Sequence, residues 1–580
     1  MAKRWRFHPH DRQRISQLEQ AAGVPPIVAQ LLLCRGVYDP AQVKAFLDAK
    51  MTGLRDPGEL PGAAAAAERI HAAVRDQRKI CVYGDYDCDG MTATAILVNC
   101  LKLLGADVFY YVPNRLEEGY GLSDDALRSV AARGASLVIS VDCGIASVHE
   151  AETARELGLE LIVTDHHEFG PSLPAAAALV HPRLPGSAYP FGGLCGAAVA
   201  FKVAWAVCQQ AAAAKKVTEP MREFLLSAVG LAAIGTVADV VPLIDENRII
   251  VHHGLKSLKY APPLGVLELM KLTKLEEKPS LGSEDIAFTI GPRLNAAGRL
   301  GQAQLGVELL TTTNPQRAKD LAEYIHHLND SRDSLERSIL LAANKQIKEQ
   351  FDPENDAALV LAGRGWHGGV IGIVAGKIAE KYNRPTVIIT LDQYAAKPGT
   401  GSARSAGGLN LHEALGACAE HLLGYGGHAA AAGLKIEEAK IDDFRAALCE
   451  FAAGEITEGG RVPEVRIDAE GPFSQLTQQT VQQIEMLAPF GAGNPRPVLC
   501  ATGVRLAEPP RKMGKSERHL SFKFVQHETT IRGVAFNCAE WADELGKLDQ
   551  PLDVAFRPVI NDFRGRQSVE MQLVDWRVAE

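Results

Sequence analysis

The stretch KICVYGDYDCDGMTATAILVNCL, residues 79–101, places three aspartates between an apolar run and an apolar, helix-like pattern. Asp85, Asp87 and Asp89 stand at alternate positions. Carboxylates this close repel one another, and a packed domain gains nothing from them beside its core unless they share a cation. The alternative is an acidic turn that caps a helix, because Asp is a good N-cap residue and glycine suits tight backbone. The stretch alone leaves both interpretations open.

A parallel sheet is predicted by the apolar runs around this stretch. They alternate with helix-like segments and occupy residues 80–83, 108–112, 137–141, 161–164 and 178–180. Strands that alternate with helices form crossover units. We therefore predict an α/β fold whose first large domain is a doubly wound parallel sheet.

Polar residues follow three of these runs. The aspartates of GDYDCDG follow the first, Asp142 in SVDCG follows the third, and Asp165, His166 and His167 in VTDHHE follow the fourth. In open α/β sheets ligands bind beyond the carboxyl ends of the strands. The sequence therefore predicts that these side chains converge on one site.

Asp239 adds a further carboxylate. It is the charged residue within LAAIGTVADVVPL, residues 231–243, and is hard to explain without a partner.

Carboxylates with one imidazole suit Mg²⁺ or Mn²⁺ better than a thiolate-seeking metal. Their number suggests two ions bridged by one carboxylate. Two ions about 4 Å apart can activate water and stabilise the leaving oxygen of an attack at phosphorus, which predicts phosphoester or phosphoanhydride hydrolysis.

Composition limits the other classes. At 580 residues the chain is too long for one core, so about three or four domains are expected. The apolar content of 47% and the charged content of 23% are those of a globular protein, and we expect no run of the roughly 20 apolar residues that span a bilayer. The basic start is followed by a polar stretch, which is not a signal peptide and predicts a cytoplasmic location. Eleven cysteines without a C-x-x-C pair argue against a disulfide framework and a zinc site.

One segment is basic although the formal net charge is −9. Between residues 501 and 523, Glu508 and Glu517 stand against six basic residues: Arg505, Arg511, Lys512, Lys515, Arg518 and Lys523. Such a cluster is most often a solvated face. It becomes a candidate nucleic-acid surface only if the fold around it binds strands.

Together these motifs resemble the DHH phosphoesterase family, whose signature includes D-x-D after the first strand, VDCG after the third and DHH after the fourth. The resemblance extends to HPR at 181–183, GPRLNAAGR at 291–299, WHGGVIGIVAGK at 366–377, GSARS at 401–405 and GGHAAAAG at 426–433. In this combination the chain is similar, along nearly its whole length, to family members that degrade single-stranded DNA from 5′ to 3′. The resemblance thus implies a metal-dependent exodeoxyribonuclease.

The resemblance also implies site residues. It makes five side chains the ligands of two divalent cations, Mg²⁺ or Mn²⁺, with the third of them bridging: Asp87, Asp89, Asp142, His166 and Asp239. His167 then faces the scissile phosphate, and Asp85 is either a direct ligand or orients its neighbours. Residues implied to bind the strand are Arg115, Arg299, Ser402, Arg404, His428, Lys512 and Lys515. Arg404 and Ser402 would grip the 5′ phosphate, since a guanidinium can bind a phosphate through two hydrogen bonds.

The second half fits this picture. Residues 313–351 carry apolar residues at helical spacing and predict a long connecting helix. The tail alternates short strand-like runs with turns, which suggests a small β-barrel, an OB-type domain by resemblance. Phe522 would either stack on bases or lie in the barrel core. The predicted division is an N-terminal lobe at 1–50, the DHH domain at 51–312, the helix at 313–351, a DHH-associated domain at 352–460 and the barrel at 461–580.

Two other functions remain open. A DHH enzyme acting on pyrophosphate or short nucleotides would use the same ions but would need neither the flanking domain nor the barrel. A catalytically dead DNA-binding scaffold would have broken ligands, and all five are present. For an exonuclease the resemblance implies single-stranded DNA as substrate, a single-strand-binding protein and a repair helicase as partners, and a monomer.

Overall fold

The computed structural model describes residues 3–115, 117–352, 356–394, 396–456, 462–514, 517–563 and 566–579. The chain forms two compact units. One is Leu54–Val462, and the other combines Met1–Gly53 with Pro463–Glu580. The first and last segments of the chain therefore belong to the same unit. The boundaries between the five sequence-based parts remain predictions.

A five-stranded parallel sheet carries the predicted motifs. Its strands lie in the order Val108–Tyr111, Ile80–Tyr83, Leu137–Val141, Glu160–Thr164 and Ala178–Val180. The two strands Ile80–Tyr83 and Leu137–Val141 are buried along their whole length, which explains why their sequences are apolar except for Ser140. The winding direction reverses at Ile80–Tyr83, and a crevice forms at such a point. The predicted doubly wound α/β fold is confirmed.

Helices surround this sheet and extend beyond it. They are Ala63–Arg75, Cys88–Leu103, Asp124–Ala132, Val148–Glu156, Gly196–Ala212, Glu219–Ala238, Asp245–Tyr260, Leu264–Leu272, Gly291–Arg299 and Ala303–Thr311. A short turn at Ser283–Asp285 and a π-helical turn at Ile286–Ile290 lead into Gly291–Arg299. Among the described helices, Glu219–Ala238 is long and apolar enough to cross a membrane, an exception to the sequence expectation. However, 56% of its apolar window is buried inside the protein, as in the core helix of a globular domain.

The long connecting helix is present as Pro315–Gln350, with Asn314 as its N-cap residue. It is followed by a second sheet with strands in the order Gly424–Gly427, Ala431–Ile436, Gly399–Arg404, Thr386–Leu391 and Leu359–Arg364. The last two strands run parallel and the other neighbours antiparallel. Helices Gly368–Tyr382, Leu411–Ala417 and Ile441–Glu455 accompany this sheet.

The other unit contains the predicted barrel. Five strands close into a ring in the order Leu499–Met513, His519–Gln526, Thr529–Ala535, Arg566–Val578 and Leu552–Phe563, and the last pairs with the first. Smaller elements of this unit are strands Arg4–Phe7, Glu464–Ile467 and Ala469–Glu470 and helices Arg12–Ala22, Pro26–Leu33, Pro40–Asp48, Gln478–Glu485 and Trp541–Leu545. Phe522 is 2% exposed and its ring centroid lies 4.7 Å from that of Phe524. The prediction that Phe522 stacks on bases is therefore wrong, and the prediction that it lies in the barrel core is confirmed.

Candidate metal centre and phosphate pocket

The loop after strand Ile80–Tyr83 contains both features that its aspartates predicted, a helix cap and a group of buried carboxylates. Asp87 is the N-cap residue of helix Cys88–Leu103, and its Oδ1 accepts a hydrogen bond from Gly90 N at 3.0 Å. Asp85 and Asp89 are buried on either side of it. The cap fixes the loop backbone, and the loop then presents all three carboxylates at the carboxyl end of the sheet.

The seven side chains predicted to hold or surround metal form three overlapping groups. In each group the ligand atoms lie within 4.8 Å of one another: Asp85, Asp87 and Asp142; Asp89, His166 and Asp239; Asp142, His166 and His167. His166 Nε2 lies 3.0 Å from Asp142 Oδ1 and 3.7 Å from both Asp89 Oδ2 and Asp239 Oδ2. The first two groups are thus adjacent, with Asp142 between them.

Backbone geometry holds two of the carboxylates in place. Asp89 accepts hydrogen bonds from Gly196 N at 2.6 Å and Ala197 N at 2.9 Å, in the first turn of helix Gly196–Ala212, where free N–H groups and the helix dipole favour a negative charge. Asp142 has a left-handed backbone with φ 62°, which is unusual for a residue other than glycine. A Cβ on Gly196 would lie 2.4 Å from Asp142 Oδ1, so only glycine fits there.

The protonation equilibria and hydrogen bonds of the cluster fit a bound cation. Burial, followed by repulsion from neighbouring aspartates, raises the pKa of Asp85, Asp87 and Asp142, and it raises the pKa of Asp239 to about 8. Among the described residues, Asp85 Oδ1, Asp142 Oδ1 and His166 Nε2 are buried without a hydrogen-bond partner. Burial lowers the pKa of His166 to about 4, so its imidazole is neutral and keeps a lone pair for a metal. Hard divalent cations match this donor set.

His167 has a different environment. Its Nδ1 donates a hydrogen bond to Asp165 Oδ1 at 2.8 Å and lies 3.1 Å from the Tyr120 hydroxyl. Burial alone would lower the pKa of His167, but Asp165 outweighs it and raises the pKa to about 9. Asp165 was predicted to reach this site but was given no role, and Tyr120 was not among the predicted site residues. The position of Asp165 directly after a strand was the signal for it, whereas nothing near Tyr120 in the sequence pointed to the contact of that residue with His167.

Four guanidinium groups form a cluster beside the carboxylates: Arg115, Arg299, Arg332 and Arg404. Burial, then repulsion from the other three, lowers the pKa of Arg299 to about 10. Burial and Arg115 lower the pKa of Arg404, whose Nη1 donates to Ser402 Oγ at 3.1 Å. Arg115 interacts electrostatically with Asp85, and Arg299 with Asp87, so the two clusters adjoin. Arg332 is already paired with Asp333 and Glu336, each at 2.8 Å. The half-buried like charges of the other three arginines favour an anion between them.

The remaining predicted contacts are more dispersed. His428 is exposed and close enough to Glu168, next to the two histidines, for an electrostatic interaction. Lys512 is exposed on strand Leu499–Met513, and Lys515 lies outside the described residues. Lys523 forms an ion pair with Glu508 at 3.3 Å, so part of the basic segment is neutralised. Arg332 was not predicted, because it lies on the long connecting helix without a local motif.

Family models match three segments of the chain. The DHH family N-terminal domain matches residues 79–232, the DHHA1 domain residues 355–454, and the RecJ OB domain residues 467–575. The first match contains the D-x-D loop, Asp142 and both histidines. The second contains Ser402 and Arg404.

Similar proteins are found over the whole length. The single-stranded-DNA-specific exonuclease RecJ of Bacillus subtilis (strain 168) is 37% identical over 577 residues, covering 100% of this chain and 71% of that protein. The RecJ of Escherichia coli (strain K12) is 35% identical over 578 residues, covering 95% of each chain. A crystal structure of RecJ with Mn²⁺ from Thermus thermophilus superposes with a TM-score of 0.83 at 33% identity, covering 100% of this chain and 80% of that one. A structure from the same source holds Mg²⁺.

Proposed function

Because the chain belongs to the RecJ family of single-stranded-DNA-specific exonucleases, we propose that it removes nucleotides from the 5′ end of single strands, with two divalent cations, to give 5′-mononucleotides. The chain is a metal-dependent hydrolase of this family, and its cofactors are divalent cations, Mg²⁺ or Mn²⁺, both of which are bound in RecJ structures. One observation carries the finer proposal. A carboxylate and imidazole cluster with unpaired buried atoms adjoins a cluster of guanidinium groups.

The first cluster would hold the cations. Asp89, His166 and Asp239 form one set of ligands, Asp85 and Asp87 belong to the other, and Asp142 is shared. Asp85 is included because its buried Oδ1 has no hydrogen-bond partner within the described part of the chain. When bound, such cations polarise a phosphodiester and lower the pKa of water.

His167 would act on the scissile phosphate. Asp165 holds its Nδ1 by a hydrogen bond of 2.8 Å and raises its pKa, which favours the imidazolium form. The Nε2–H group is then free to donate a charge-assisted hydrogen bond to a phosphate oxygen as negative charge develops there. Tyr120 limits rotation of the ring from the other side.

The second cluster would give the enzyme its direction. The bound cations would promote hydrolysis of whichever phosphodiester lies beside them, and they would not distinguish the two ends of a strand. A pocket of half-buried guanidinium groups binds a terminal phosphate more tightly than an internal one, because the terminal group carries more charge and more free oxygens. Arg404, Arg299 and Arg115 are the proposed contacts, with Ser402 beside them.

Strands labelled at one end test the direction. With Mn²⁺ or Mg²⁺, a 5′-labelled strand is expected to release labelled mononucleotide at the earliest time points. A 3′-labelled strand is expected to give progressively shorter labelled strands. Early labelled mononucleotide from the 3′-labelled strand would contradict the proposal, and a chelator should stop both reactions.

Membership of this family also supports a role in DNA recombination and repair. An enzyme specific for single strands needs a helicase to open a duplex, and it meets strands covered by a single-strand-binding protein, so both remain proposed partners. Both clusters come from one chain, which supports a monomer. The cytoplasm stays the predicted location.

A further inference from the structure

Helix Gly291–Arg299 lies against the loop that carries the aspartates. Asn295 Oδ1 accepts a hydrogen bond from Cys88 N at 2.8 Å, between Asp87 and Asp89 in the chain. One turn later, a Cβ on Gly298 would lie 1.9 Å from Tyr86 O. The helix backbone therefore touches the loop backbone, with no side chain between them at Gly298.

The same helix end also touches the element beside Arg404. Arg299 Nη1 donates to Gly369 O at 3.2 Å, and a Cβ on Gly369 would lie 2.2 Å from Arg299 O. Gly369 is in the first turn of helix Gly368–Tyr382. In the next turn, a Cβ on Gly372 would lie 2.9 Å from Arg404 Nη2. A continuous series of close contacts thus joins the aspartate loop to Arg404.

We propose that helix Gly291–Arg299 is a rigid spacer that sets the distance between the 5′-phosphate pocket and the carboxylates, with Asn295, Gly298 and Gly369 as positioning residues. This inference rests on the proposed 5′-phosphate pocket. Its physical basis is that backbone contacts through glycine have no flexible side chain to absorb a displacement. A Cβ at 1.9 or 2.2 Å from a carbonyl oxygen forces the backbones apart by about 1 Å, and a misplacement of that size can cost about 100-fold in rate.

The spacer matters only for a strand whose end is anchored. A 5′-phosphorylated strand would be held in the pocket, so the position of its first phosphodiester depends on the spacer. A 5′-hydroxyl strand lacks the anchoring group and would settle at the carboxylates independently of the pocket. Lengthening the spacer should therefore lower the rate of hydrolysis of 5′-phosphorylated strands selectively. The enzyme should still prefer to bind strands with a 5′ phosphate.

Gly369→Ala tests this, with Gly368→Ala as the matched control, because a Cβ on Gly368 meets no atom within 4 Å. For each variant, affinity for 5′-phosphorylated and 5′-hydroxyl strands is measured in chelator, and turnover of both is measured with Mn²⁺. In Gly369→Ala we expect the rate preference for phosphorylated strands to fall about ten-fold or more. The affinity preference should fall by less, because the new Cβ displaces Arg299 but removes no guanidinium group from the pocket. Gly368→Ala should match the wild type. Equal loss of rate on both strands, or no loss, would overturn the proposal.

Asn295 provides a second variant that introduces no clash. Asn295→Ala removes the acceptor of Cys88 N, so we expect a lower turnover number with little change in KM for phosphorylated strands. Asn295→Asp keeps an oxygen at this position and should restore most of the rate. If both variants behave as the wild type, the loop does not depend on this helix and the proposal is wrong. A wild type with no affinity preference for phosphorylated ends would instead refute the pocket itself, whatever the spacer variants do.

Discussion

Asp142 Oδ1 lies 3.0 Å from His166 Nε2, and within the described residues neither buried atom has a hydrogen-bond partner. Two polar atoms so close would normally form a hydrogen bond in the absence of another ligand, because an unsatisfied buried group costs about 1 to 3 kcal/mol. Their arrangement is explained if both direct a lone pair at a cation. The left-handed backbone of Asp142 also costs conformational free energy, and a role as a cation ligand explains why that strain is kept.

Asp142→Ala is therefore expected to abolish hydrolysis, because the shared carboxylate belongs to both sets of ligands. Binding of single strands should be retained, since the guanidinium cluster and the barrel are intact. Activity is measured on end-labelled strands and binding by fluorescence anisotropy in chelator. Asp125→Ala is the control, because that carboxylate is fully exposed, and it should be fully active. More than about 1% of wild-type activity in Asp142→Ala would contradict the two-ion assignment, since a two-metal site depends on every shared ligand.

Glu246→Ala is expected to lower the free energy of unfolding by about 3 to 5 kcal/mol, because it leaves a buried ammonium group unpaired. Lys202 and Glu246 are both fully buried and form an ion pair, and Tyr189 and Arg55 N also donate to Glu246. Asp245→Ala removes a neighbouring, partly exposed partner of Arg55 and should cost about 1 kcal/mol or less. Urea unfolding of the two variants gives the comparison. An equal decrease in the free energy of unfolding in the two variants would mean that breaking the buried ion pair costs no more than breaking an exposed one.

The difference between what the sequence predicted and what it missed follows from the range of the interactions. The aspartate loop and the DHH motif were predictable because each ligand follows a strand, and parallel strands bring their carboxyl ends together. Arg332 and Asn295 were missed because the site residues beside them, Arg299 and Cys88, lie on other elements whose packing no local pattern encodes. Phe522 had two interpretations because an alternating strand does not show which of its faces is buried. The pairing of Lys523 with Glu508 likewise depends on strand register.

Lys512→Ala is expected to weaken binding of single strands equally for all base sequences and to reduce the slope of log K against log salt by about one unit or slightly less, because a phosphate contact releases about one counterion. Lys512 is exposed on its strand. Lys523→Ala is the matched control. Lys523 is already neutralised by Glu508, so removing it should change the salt slope less than Lys512→Ala does. Binding is titrated at several salt concentrations. An unchanged slope in Lys512→Ala would mean that this part of the barrel is only a solvated surface.

Arg404→Ala is expected to lose most of the preference for 5′-phosphorylated over 5′-hydroxyl strands, in affinity as well as in rate. Each charge-assisted hydrogen bond from a guanidinium contributes about 1.5 to 3 kcal/mol, or roughly 10- to 150-fold in affinity for the correct end. This differs from the spacer variant Gly369→Ala, in which all the guanidinium groups remain and the rate preference falls more than the affinity preference.

The control for Arg404→Ala is Arg364→Ala, an arginine of the same sheet whose guanidinium pairs with Glu438 at 2.7 Å and is partly exposed. That variant removes the same charge from the unit without touching the cluster, so it should keep the preference for phosphorylated ends. Competition between the two strand types at limiting substrate measures the ratio in each protein. If Arg404→Ala and Arg364→Ala give the same ratio as the wild type, selection of the 5′ end must come from residues other than Arg404, and Arg115 and Arg299 would be the next to test because they share the cluster.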